Sequence, residues 1–104
     1  MSRIDSARRY EALDHVSQAL TLLERVQTRW RRYADTTLIA NAAEPAEMIL
    51  RTTKNLLTIP TDVHLADAAR MLLGVILALR KMKRDELRLI IQKTQVAYEA
   101  LLEQ

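Results

Sequence analysis

The sequence predicts an all-α fold: an antiparallel helical bundle of three to four helices, forming one domain over residues 1–104. Three observations carry that expectation. The chain holds one glycine and two prolines, too few for the tight turns of a multi-stranded sheet. Its apolar side chains recur at steps of three and four, which gathers them onto helical faces. Finally, 49% of the residues are apolar and 28% charged, the balance of a chain that buries a core and solvates its outside.

The first segment places Ile4, Ala7, Tyr10, Leu13, Val16, Leu20, Leu23, Val26, Trp30 and Tyr33 on one face of a long helix that runs at least to Ala34. Ser2 or Asp5 would cap its start. Residues 35–43 either extend this helix or form a separate turn. A proline disfavours helical geometry in the residue before it, so the expectation is a stop at Glu44 and a new, short helix opening on Pro45.

That second helix buries Ala46, Ile49, Leu50, Thr53, Leu56 and Leu57 and stops at Pro60, after which Thr61 and Asp62 would cap a third. The third segment, from Asp62 to about Met82, is apolar almost all round, with only Arg70, Gly74 and Lys81 on a polar strip. A helix of that kind is expected at the centre of the bundle, nearly encased. The last helix is amphipathic, with Leu87, Ile90, Ile91, Thr94, Ala97, Tyr98, Leu101 and Leu102 on its main face and a narrower stripe of Leu89, Val96 and Ala100 opposite.

The stretch LRKMKRDELR, residues 79–88, joins the last two segments. Its cations suit the negative end of one helix, and Asp85 followed by Glu86 suits the start of the next, with Asp85 as N-cap. One uninterrupted helix through residues 62–103 is the competing reading, since no glycine, proline, asparagine or serine breaks the stretch. Such a helix would be about 60 Å long and would require an intertwined dimer.

The chain contains no cysteine, which excludes disulfides, thiolate metal sites and thiol nucleophiles. The apolar run MLLGVILAL, residues 71–79, is roughly half of the ~20 residues a bilayer demands. Arg3, Asp5, Arg8, Arg9 and Glu11 interrupt any amino-terminal secretion signal. A cytoplasmic protein without a membrane segment is the expectation. His15 and His64 are the only histidines, neither carries the pattern of a di-iron or zinc site, and no metal or cofactor is expected.

The arginine and histidine pair Arg9 and His15 is similar to that of helical HEPN ribonucleases, although here it lies in the first helix and not the last. The layout of long, short and long helices is similar to the helical chorismate mutase family, and LRLIIQKTQVAYEALLEQ has a comparable terminal pattern. That resemblance implies a catalytic set from which the sequence departs: Arg51 precedes Thr52 and not a glutamate, and no lysine stands after the first-helix arginines where that family would supply one. No triad or glycine-rich phosphate loop is present.

The expected function is therefore non-enzymatic: a small regulator, adaptor, inhibitor or chaperone that presents a helical face to a protein partner and forms a homodimer. Candidate interface residues are Leu89, Val96, Ala100, Trp30 and Tyr33. The alternative is nucleic-acid binding through basic helix surfaces. The net charge is only +3, so this reading rests on two local clusters: Arg25, Arg29 and Arg32, then Arg80, Lys81, Lys83 and Arg84.

Overall fold

The computed structural model describes residues 3–32, 37–59 and 64–102. Four helices pack against one another: α1 (Arg3–Trp30), α2 (Thr37–Thr58), α3 (Leu65–Lys81) and α4 (Arg88–Leu102), with a 3-10 turn, Asp85–Leu87, leading into α4. No strand occurs among the described residues. The 28 residues of α1 give a rod of about 42 Å, and the molecule measures 49 × 20 × 17 Å. A cross-section of that size holds two helices by two, given axes ~8–10 Å apart.

Contacts near the helix ends fix the direction of each rod. Arg9 near the start of α1 donates from Nη1 to the Ile59 carbonyl just past α2 at 2.8 Å, whereas Arg31 just past α1 meets Glu44 in the first half of α2 at 2.7 Å. At the far side, Trp30 ends α1 beside Glu86, which opens the approach to α4. Sequential neighbours are thus antiparallel. The main packing pairs are α1 with α2, α2 with α3, α3 with α4 and α4 with α1, a closed ring around one core. Each helix supplies that core: Val16 and Leu23 from α1, Leu50 and Leu57 from α2, Leu72 and Leu79 from α3, and Ile90 and Ala97 from α4.

Several boundaries differ from those expected. Pro45 does not open α2 but lies inside it, and α2 is 22 residues long and not short. The reason is the face on which the proline sits. Asn41, Ala42, Glu44 and Pro45 are exposed, while Ala40, Ala43, Ala46 and Leu50 continue a buried stripe on the other side. The Asn41 carbonyl that loses its helical partner to the proline ring is therefore on the water side. A long second helix also removes the likeness to the chorismate mutase layout. Asp5 lies within α1; Ser2, Tyr33, Ala34, Pro60, Thr61 and Asp62 lie outside the described residues.

The α3–α4 junction is a break. Met82 and Lys83 donate to the Leu79 and Arg80 carbonyls, both at 3.2 Å. Lys83 then adopts a left-handed backbone, φ 54°, and Arg84 is extended. Arg84, not Asp85, occupies the N-cap position of the following turn, and Asp85 sits one residue inside it, bonded to Arg88 at 3.2 Å. A lysine in left-handed geometry costs about 1 kcal/mol, a cost that antiparallel burial of the helices on either side offsets.

α3 is not encased. Ala68, Ala69, Leu72, Val75, Ile76 and Leu79 are buried, but Leu73 is 38% and Leu77 56% exposed, and Gly74 and Ala78 beside them are exposed. An all-apolar helix need not be central when its outer side carries alanine and glycine beside its leucines.

Candidate functional site

Two surfaces are built by this packing: a cationic end and an apolar outer face. At the cationic end, Val26 and Trp30 turn into the core, which by the helical period drives Arg25, Arg29 and Arg32 outward. Glu24 beside them is engaged elsewhere, accepting from Arg51 at 3.0 Å. Several exposed arginines on other faces have acidic partners: Arg31 with Glu44 at 2.7 Å, Arg70 with Asp67 at 3.3 Å and Arg88 with Asp85 at 3.2 Å. Arg25, Arg29 and Arg32 have no acidic partner among the described residues and line one shallow strip with Thr21 and Thr28.

The second basic cluster comes to the same end of the molecule. Trp30 is 4% exposed and donates its indole Nε1 to Glu86 Oε2 at 3.0 Å. Arg84 donates to the same oxygen at 3.0 Å, and its guanidinium lies 5.7 Å from the Trp30 ring centroid. The Arg84 bond, then the backbone amide of Glu86 itself, then the indole hold the Glu86 carboxyl down from 4.5 to about 2. This three-residue clasp pins the end of α1 to the α3–α4 junction. Arg84 is therefore largely occupied, and Arg80 donates to Gln95 at 3.1 Å. Lys81 and Lys83 are exposed cations without an acidic partner among the described residues.

The interface residues expected from sequence divide. Leu89 is 49% exposed and Val96 half-buried, whereas Ala100 and Trp30 are buried within the bundle and offer no surface to a partner. The two-sided pattern of α4 has an intramolecular cause, since α4 packs against both α1 and α3. The outer face of α3 is not among the interface residues that the sequence suggests, although the polar strip of Arg70, Gly74 and Lys81 marks where it lies. Flanking this face are two grooves. One is lined by Arg8, Ala66, Ala69, Arg70, Leu73, Tyr98, Leu101 and Leu102 between α3 and α4. The other, between α2 and α3, is lined by Leu56, Asp67, Arg70 and Met71.

Polar groups inside the bundle do structural work. Arg9, nearly buried, places its charge at the carbonyl end of α2, and His15 bonds to the Glu11 carbonyl at 2.9 Å, so the two form no shared site. Gln27, unmarked by the sequence pattern, is fully buried and accepts from Arg31 at 3.3 Å. Among the described residues no three His, Asp or Glu side chains gather to hold a metal, and no helix is long and apolar enough to cross a membrane. Comparison with known proteins gives no relative to reason from: no family model, curated protein or solved structure matches the chain.

Proposed function

We propose that this chain is a non-enzymatic helical interaction module that docks a protein partner on the outer face of α3. The observation that supports the reading is the exposed run of Leu73, Gly74, Leu77 and Ala78 along one helix. Single exposed leucines are ordinary; a contiguous apolar strip marks a contact surface. A tagged chain expressed in its native host, compared with a Leu73→Ser/Leu77→Ser variant, tests this. Capture of a reproducible protein partner is expected to be lost in the variant while far-UV circular dichroism stays unchanged. Equal capture by both proteins refutes the α3 face as the docking surface.

The cationic end favours a second reading, binding to a nucleic-acid backbone. Arg25, Arg29 and Arg32 at i, i+4 and i+7 would each neutralise a phosphate, giving affinity without sequence selectivity. Fluorescence anisotropy with duplex DNA and single-stranded RNA should show binding that falls steeply with salt. Replacing the three arginines by glutamine would flatten the log–log salt slope by about 3. Absence of binding at roughly 50 mM salt, where such contacts are strongest, removes this reading.

A further inference from the structure

We propose that the occupant of the α3 face is a second copy of this chain, packed antiparallel about a twofold axis through Gly74. The inference rests on the interaction-module reading and names its partner. Gly74 is the chain's single glycine, and it sits in the middle of a helix, where it is less favourable than alanine by roughly 0.5–1 kcal/mol. Nothing within the bundle explains it: a Cβ added there meets no atom within 4 Å. A neighbouring helix lying across that position does explain it, because the missing side chain lets two backbones approach closely.

The residues around Gly74 are arranged as such a neighbour requires. Asp67, Gly74 and Lys81 are spaced by seven, so they fall in one line on the exposed side of α3. In a twofold antiparallel pair, residue i meets j and j meets i. Centred on Gly74, that operation sets Asp67 of each copy against Lys81 of the other, opposite charges at both ends of the contact. It sets Met71 against Ala78 of the second copy, a long side chain over a short one, and lays Leu77 along the methylene stem of Arg70. Asp67 holds Arg70 of its own helix at 3.3 Å with both side chains well exposed, leaving a second carboxylate oxygen for the incoming lysine. A parallel pair would instead stack Asp67 on Asp67 and Lys81 on Lys81, which the charges disfavour.

A contact along one helix and its flanks falls near the low end of stable interfaces, about 1,200 Å², so the dimer should dissociate on dilution. Sedimentation velocity on the full chain from ~1 µM to ~500 µM, a span bracketing weak association, is the measurement. A concentration-dependent dimer is expected for the native protein. Gly74→Leu should abolish it while retaining the thermal unfolding midpoint, since the position is open and leucine is the better helix former. Asp67→Lys alone and Lys81→Glu alone should each weaken the dimer several-fold, and Asp67→Lys combined with Lys81→Glu should restore it. A chain that stays monomeric throughout, a dimer indifferent to Gly74→Leu, or no rescue by the double exchange overturns the proposal. If the native chain is monomeric but Leu73→Ser/Leu77→Ser still abolishes capture of a different protein, the second copy is refuted and the docking face stands. If both assays are negative, both readings fall.

Discussion

Glu86 shows how one side chain can fix the meeting point of distant segments. Its carboxylate receives Arg84 and the Trp30 indole, each at 3.0 Å, and the bonds favour the charged form, holding the carboxyl at about 2. A carboxyl depressed in the folded state stabilises the fold fully above its unfolded value and loses that contribution as pH falls through the folded one. Glu86→Gln keeps an acceptor for the indole but removes the charge. The native protein should therefore exceed Glu86→Gln in stability by a constant margin above pH ~5, and the margin should shrink as pH approaches 2. Urea unfolding followed by Trp30 fluorescence measures it; a margin that stays flat down to that acidity contradicts the clasp. In the sequence, Trp30 read as part of an apolar stripe and Glu86 as a helix-start residue, and both placements were sound. Their meeting across 56 positions was not legible, because a hydrogen bond of that span depends on the antiparallel return of the chain.

At the scale of elements, apolar periodicity marks the helices more faithfully than proline marks their ends. Val16, Leu23, Leu72, Leu79, Ile90 and Ala97 are buried where the three-and-four spacing placed them, and the sign reversal from RKMKR to DE does mark a break between helices. Pro45 misled because its effect depends on which face it occupies, and a proline on the wet side of a long helix loses only a bond that water replaces. Pro45→Ala should accordingly stabilise the protein by about 1–3 kcal/mol, less than or equal to the interior helix penalty of proline. Chemical denaturation would show it as a raised midpoint with unchanged slope. A loss of stability would mean that the proline ring is required where it stands, contrary to its exposed position. α3 differs for a related reason: apolar residues on every side implied burial, yet its main packing partners lie on the sides turned to α2 and α4. Composition reports how much of a helix could be buried, and tertiary packing decides how much is.

Across the whole molecule, the closed ring of packing leaves no helix with a core of its own. Leu50 of α2 and Leu23 of α1 are fully buried in the same cluster that holds Ile90 of α4 and Leu72 of α3, so loosening any wall exposes the others. Single domains with one shared core unfold as a unit. Trp30, the only tryptophan, reports on the α1 end and the α3–α4 junction, while far-UV circular dichroism reports on all four helices. The two signals should therefore trace one denaturation curve. Leu57→Ala, a truncation of a buried side chain at the Arg9 end of the bundle, away from the indole, should cost about 2–5 kcal/mol and move both curves by the same amount. Leu77→Ala, on the open side of α3, should shift them by no more than about 0.5 kcal/mol at a concentration where the chain is monomeric. If circular dichroism fell before fluorescence, α2 and α3 would be melting away from a surviving α1–α4 pair. The shared core would then be two cores, and the α3 face would belong to a part of the molecule too loosely held to present a fixed docking surface.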